Sequence, residues 1–352
     1  MDSFDHYVTL SQKGWITSPW ARDGNGGFIG GGGRSGNCFN SGAGGYAGGQ
    51  EGSLIGIPST TTVIVGVAVG MSAPPASNQA ILSFGYSTNV MNVHLVESPL
   101  GEIIAYRPDP NHVLEPSHWT ELGRSGAGVF PIGWHYLEAK VKIDSSTGSV
   151  EVRVNGTTVL NLTNVNTYTG WYPATVTSVL LCGMNCNSNQ FTYFYFDDLY
   201  ICDPSGSDNN GFLGDCRVEC LFPTGAGAET QWTPSAGVNW ENVNETPPDG
   251  DTTYNRSNTP GQADTYAMAD LVSTTGRIYA AQYLQYARKD NAGSRTVAPV
   301  ARIGGVDYAG ASVSVGDSYA YYRDIHAVSP ATAAAFTISE VNAMEYGTKV
   351  VA

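Results

Sequence analysis

The chain has 352 residues, 41% of them hydrophobic and 14% charged, which is enough to bury a core and too long for one ordinary domain. A net charge of −14 disfavours contact with phosphate backbones, and no run approaches the ~20 apolar residues that a helical bilayer crossing needs, so neither a nucleic-acid nor a membrane partner is expected. The chain is rich in turn formers and aromatics, with 43 Gly and 20 Tyr among abundant Ser and Thr, the composition of an all-β protein.

In chain order, the opening Met1 to Tyr7 has no basic region followed by an apolar one, so no secretory export is expected. The glycine-dense stretch between Gly24 and Gly49 lacks the closing Gly-Lys-Ser/Thr of a phosphate loop and reads as a surface loop, or as a segment lying close against neighbouring backbone. Short strands are expected at Thr61–Val69, Ala80–Tyr86, Val90–Glu97 and Glu102–Tyr106. From Leu137, Leu/Ala/Val/Ile alternate with Glu/Lys/Asp as far as Asp144. After a Ser-Ser-Thr-Gly turn, Val150, Val152 and Val154 alternate with Glu151 and Arg153. Asn155-Gly156 is a two-residue hairpin signal, because both residues tolerate positive φ. Further strands are expected at Val176–Cys182 and Phe191–Ile201. Many short antiparallel strands imply a sandwich or jelly roll over 1–203.

The polar run 204–211 reads as a linker, and 212–352 as a second, smaller antiparallel β domain. There a strand is expected at Asp215–Phe222, then an irregular region to about Pro260. Further strands follow at Gly276–Lys289, Arg295–Ile303 and Tyr319–Ala327, then a helical stretch at Ala331–Met344 and a last strand to Val351.

The run Gly133 to Val141, the segment Gly148 to Gly156 and the closing Phe196-Asp197-Asp198-Leu199-Tyr200-Ile201 resemble the laminin-G/concanavalin A-like sandwich. The whole chain resembles phage and prophage virion proteins that open with such a domain. In the second half this rests on Gly211 to Asp215, Trp232 to Ser235, Pro248 to Tyr254, Ala287 to Asp290 and Val341 to Val350. The resemblance implies a non-catalytic structural subunit of a tailed-phage particle (neck, collar, tail or capsid surface), assembled in the bacterial cytoplasm and partnered by other virion proteins and copies of itself. It supplies no catalytic residues.

Concanavalin A-like glucanases place two carboxylates in a Glu-x-Asp-x-x-Glu pattern, which is absent here. Asp197 and Asp198 are adjacent on a strand and point to opposite faces unless a bulge intervenes. The six histidines form no His-Glu-x-x-His, His135 reads as structural, and neither a metal nor another cofactor is expected. Lectin-like binding of host polysaccharide is the functional alternative, with Trp171, Tyr172, Tyr193 and Tyr195 as stacking candidates and Asp109, Asp249 and Asp251 as calcium candidates. Cys38, Cys182, Cys186, Cys202, Cys216 and Cys220 are candidates for disulfides, including cross-links between subunits outside the reducing cytoplasm. In an extended strand Cys216 and Cys220 would stand ~13 Å apart, too far to bond to each other.

Overall fold

The computed structural model describes residues 1–7, 13, 16–17, 28–41, 52–87, 90–112, 116–185 and 194–352. It is almost entirely β, and its described residues divide into two compact units, the first ending at Val218 and the second comprising Lys13 and Glu219 to Ala352.

In the first unit the strands are β1 (Ile16–Thr17), β2 (Phe28–Gly31), β3 (Asn37–Asn40), β4 (Gly52–Thr60), β5 (Thr62–Met71), β6 (Gln79–Ser87) and β7 (Val90–Glu97), followed by β8 (Ile103–Arg107), β9 (Thr120–Arg124), β10 (Gly133–Lys142), β11 (Gly148–Val154), β12 (Thr157–Val165), β13 (Val176–Asn185) and β14 (Phe194–Cys202). They form two seven-stranded antiparallel sheets with the orders β1-β4-β13-β6-β7-β8-β9 and β12-β11-β10-β5-β14-β3-β2. This is the jelly-roll sandwich expected from the sequence. Alternation fixes the core: Leu137, Ala139 and Val141 of β10 lie opposite Val67, Val65 and Val63 of β5 and Val154, Val152 and Val150 of β11, all buried. Facing strands contribute Leu82, Phe84, Val93, Leu95 and Val179. Each such side chain removed from water stabilises the fold by ~1.5–3 kcal/mol. The Asn155-Gly156 turn forms as expected, with φ of 49° and 78°. Asn155 does a second job there, since its side-chain oxygen accepts the Tyr136 N–H at 2.9 Å.

The outer face of the second sheet is not left to solvent. Residues 211–218 strap across it, with Phe212, Leu213 and Cys216 packed against Tyr136 and Tyr200. The Gly214 N–H donates to Glu138 Oε1 (2.8 Å), the Leu213 N–H to the Tyr200 hydroxyl (3.1 Å) and the Val218 N–H to Asp198 Oδ1 (2.8 Å). This revises two expectations. The first unit continues past the polar 204–211 run, and 215–222 pairs with no neighbouring strand, its Val218 N–H going to the Asp198 carboxylate instead.

In the second unit the strands are β15 (Pro223–Thr230), β16 (Thr233–Pro234), β17 (Asn255–Arg256), β18 (Ala263–Met268), β19 (Ala281–Ala287), β20 (Thr296–Ile303), β21 (Val306–Ala309), β22 (Val313–Ser314), β23 (Ala320–His326) and β24 (Glu345–Val350). The main sheet has the order β15-β18-β24-β20-β21, with β22 also paired to β20, and two ribbons, β16-β17 and β19-β23, complete the unit. Strand β15 lies in the stretch expected to be irregular. The rest of that stretch carries the short β16-β17 pair and side-chain ties: Trp232 Nε1 donates to the Gln262 carbonyl, and Asn239 and Tyr266 both donate to Asp264 Oδ2 at 2.7 Å. The helix, α1 (Ile338–Ala343), is shorter than expected. It begins at a capping box, in which Thr337 accepts from the Glu340 N–H and the Glu340 carboxylate reaches back to the Thr337 N–H and to Ser329.

Candidate functional site

Hydrogen bonds fix a surface loop between β12 and β13. Asn92, buried on β7, accepts from both the backbone N–H (3.2 Å) and the hydroxyl (3.0 Å) of Thr169. The Asn166 side chain accepts the Tyr168 N–H at 3.0 Å, and the Tyr168 hydroxyl donates to the Tyr172 carbonyl. Thr177 at the start of β13 donates to the Tyr86 carbonyl at 2.6 Å, in keeping with the antiparallel pairing of β13 with β6. Tyr86 and Tyr172 therefore stack, with ring centroids 5.3 Å apart and planes 20° from parallel. Both remain open to solvent (40% and 43%), as does Trp171 (59%).

The same loop walls a cleft of about 400 Å³ lined by Arg107, Asp109, His118, Ser145, Tyr168 and Thr169, together with neighbouring Pro108, Pro110, Thr120, Asn166 and Gly170. Asp109 Oδ1 accepts the Asn111 N–H at 2.8 Å and lies 3.2 Å from His112 Nδ1, contacts that hold its carboxyl below the usual carboxylate range, the backbone N–H foremost. The His112 ring stacks on His118 with centroids 4.0 Å apart. Asp144, beside Ser145, is pulled down to about 2 by the N–H groups of Thr147 and Ser146. Both carboxylates are ionised at neutral pH, and Asp109 lines the cleft with one guanidinium, that of Arg107.

Of the stacking candidates named from the sequence, the fold places Trp171 and Tyr172 in this patch. Tyr195 is elsewhere, half-buried on β14 with its ring 6.4 Å from Trp134, and Tyr193 lies outside the described residues. Tyr86, Arg107 and Tyr168 were not singled out from the sequence. They are remote in the chain, and only strand pairing brings them together.

The three calcium candidates do not converge. Asp109 belongs to the cleft in the first unit. In the second unit Asp249 accepts from Thr253, while Asp251 Oδ1 accepts from Arg288 (2.8 Å) and the Tyr319 hydroxyl (2.9 Å). Among the described residues no group of three or more His, Cys, Asp or Glu is placed to hold a metal ion.

Asp197 and Asp198 do meet the bulge that the sequence left open: the register shifts between Asp197 and Tyr200, and Asp198 has a φ of 51°. Both carboxylates are fully buried. Asp197, pushed up to about 7 by burial and then by Asp198, accepts the N–H groups of Ser35 and Asp198. Asp198 faces Arg34 and Arg217 at 3.6 and 3.5 Å. The approach of the 32–36 loop to these acids accounts for part of the glycine-rich stretch: a Cβ on Gly33 would stand 2.6 Å from the Asn37 carbonyl oxygen, and Gly36 has a φ of 78° against Asp5. His135 is structural here, hydrogen-bonded to Asn155 at 2.9 Å and set against Phe130.

Cys38, Cys202 and Cys216 are free thiols. Burial pushes Cys38 and Cys216 up to about 12 and Cys202 up to about 11. The Cys182 side chain and all of Cys186 lie outside the described residues.

No known family and no curated protein matches the chain. Among solved structures it is similar to the alginate lyase Aly36B (12% identity, TM-score 0.38, 57% of this chain and 96% of that one). It is also similar to a sialidase (11% identity, TM-score 0.34, 57% of this chain and 19% of that one). A third likeness is to CG-16, a homodimeric agglutinin from chicken liver (12% identity, TM-score 0.29, 43% of this chain and 99% of that one). At these identities and scores the likenesses carry no argument about activity.

Proposed function

We propose that the chain is a non-catalytic glycan-binding protein that engages a surface polysaccharide through Trp171, Tyr172 and Tyr86. The observation that carries this reading is the stacked Tyr86–Tyr172 pair beside an open Trp171, held by buried Asn92 at the rim of a polar cleft. Flat apolar faces with polar edges suit a sugar ring, which presents C–H groups on one face and hydroxyls around it. Among the described residues that line the cleft Asp109 is the single carboxylate, whereas retaining and inverting glycosidases use two acidic groups flanking one bond. A glycan array probed with the full chain tests the reading. Binding to a defined set of glycans, reduced about tenfold or more in Trp171→Ala at unchanged melting temperature, is the expected outcome, ~1.4 kcal/mol or more. A blank array, or a Trp171→Ala variant that binds like the parent, overturns it.

The resemblance of the chain to phage virion proteins supports a second reading, that of a structural subunit of a tailed-phage particle bound to other virion proteins and to its own copies. The two readings are compatible, since an adhesive sandwich can sit on a particle. Labelling this chain in electron micrographs of a particle tests the second; a particle that lacks it overturns that reading.

A further inference from the structure

The cleft beside the aromatic patch carries its own chemistry. Its polar lining is mixed: the Arg107 guanidinium donates, the Asp109 carboxylate accepts, His118, Ser145, Thr120 and Asn166 can do either, and the Thr169 and Tyr168 hydroxyls, which donate to Asn92 and to the Tyr172 carbonyl, accept. Its volume of about 400 Å³ lies in the range of small-ligand sites, ~300–1,000 Å³. One wall, Tyr168 to Gly170, is followed directly in the chain by Trp171 and Tyr172, the latter stacked on Tyr86.

The charges decide which sugars fit. Asp109 faces the cleft and Asp144 lies next to its lining residue Ser145, both held ionised by backbone N–H groups, in a chain of net charge −14. A uronate or other acidic sugar would bring its carboxylate against Asp109 with one guanidinium to offset it. A neutral sugar brings no such repulsion, and its adjacent hydroxyls can donate to the Asp109 carboxylate while accepting from Arg107.

We propose that this cleft is the specificity-setting subsite for a neutral hexose chain, with Asp109 and Arg107 taking neighbouring hydroxyls of one residue and the next residues stacking on Tyr172 and Trp171. The proposal rests on the glycan-binding reading and names the ligand class for it.

The test titrates the full chain by calorimetry with neutral hexose oligosaccharides (gluco-, manno- and galacto-oligomers) and with uronate oligosaccharides of equal length. Asp109→Asn and Arg107→Met are compared with Trp171→Ala. Asp109→Asn keeps an oxygen to accept the Asn111 N–H, and its melting temperature checks that the loop is intact. Should either cleft variant melt early, Ser145→Ala and Thr120→Ala replace it. The expected result is binding of at least one neutral oligomer, no measurable binding of uronates, and a loss of about tenfold or more in the cleft variants and in Trp171→Ala. Uronates binding more tightly than neutral oligomers overturn the proposal. So do cleft variants that bind like the parent while Trp171→Ala loses binding, a result that leaves the aromatic patch standing. If neither class binds, the glycan-binding reading itself falls.

Discussion

The Tyr200 hydroxyl donates to Glu138 Oε1 at 2.5 Å from two strands away. The path is open because Tyr200, Gly66 and Glu138 stand in one row across β14, β5 and β10, and the tyrosine ring lies in the space that a Gly66 Cβ would take. The same Glu138 oxygen accepts the Gly214 N–H, so one buried carboxylate ties the sheet to the strap at 211–218.

Gly66→Ala drives a methyl group into that ring. The expected cost is ~1–3 kcal/mol, the range for overpacking in a well-filled site. Tyr200→Ala on its own removes a hydroxyl and a ring, but combined with Gly66→Ala it leaves room for the added methyl. Denaturant titration of the four proteins checks this: the alanine at 66 costs much less in the Tyr200→Ala background, and equal costs in both backgrounds would refute the contact.

Glu97 gives the first unit a pH dependence of definite sign. It ends β7 on the core-facing side, after Met91, Val93 and Leu95, at 0% exposure, and neither carboxyl oxygen has a hydrogen-bond partner among the described residues. Burial pushes it up to about 8 from an ordinary 4.5. The folded chain thus holds a proton that the unfolded chain gives up above 4.5, and its stabilisation is full below 4.5 and lost as pH rises through about 8. Asp197, raised to about 7, acts in the same direction. Thermal melts from pH 4.5 to 8.5 should fall in midpoint. Glu97→Gln should flatten the curve, raising the midpoint at pH 8 most; a slope unaltered in that variant would refute the assignment.

The thiols should resist alkylation while the chain is folded. Cys38 is buried with its Sγ turned to the Gly30 carbonyl oxygen, and Cys38, Cys202 and Cys216 are all raised to between about 11 and 12, so little thiolate is present at pH 8. Mass spectrometry after iodoacetamide treatment should find these three unmodified in the native protein and modified after denaturation. Rapid native labelling of Cys216 would show that the strap does not hold it against Tyr136 and Tyr200. Gels of assembled particles with and without reductant test the cross-link idea separately: identical migration excludes inter-subunit disulfides.

Calcium should not stabilise the chain. The acidic groups that suggested it belong to no cluster of three or more possible metal ligands among the described residues, and Asp251 is taken up by Arg288 and Tyr319. Melting temperatures with millimolar calcium and with chelator should agree within error, and a calcium-dependent rise of several degrees would contradict this.

What could be read before the fold was known depended on local pattern. The β10–β11–β12 meander is legible because valines and leucines alternate with charges and both Asn155 and Gly156 accept the positive φ of a tight hairpin turn. Strand β15 is not, since Pro-Thr-Gly-Ala-Gly-Ala-Glu-Thr holds no large apolar side chain and forms by pairing with β18. The segment 215–222 misleads for the opposite reason: its alternation looks like a strand, yet Glu138, Tyr200 and Asp198 compete for the backbone donors of 213–218 and win. Of the candidate site, Trp171 and Tyr172 are visible as aromatics in a loop, while Tyr86 and Arg107 have no local mark.

By itself, then, the sequence determined the all-β class, the alternating core of the sandwich and the hairpin turns, because each follows from side chains a few residues apart. The tertiary structure alone decided where the first unit ends, how Glu97 came to be buried, and that Tyr86 meets Tyr172 beside the Arg107–Asp109 cleft. Those outcomes depend on which strands pair across long stretches of chain, and on the cost of leaving a donor or a charge unmatched once they do.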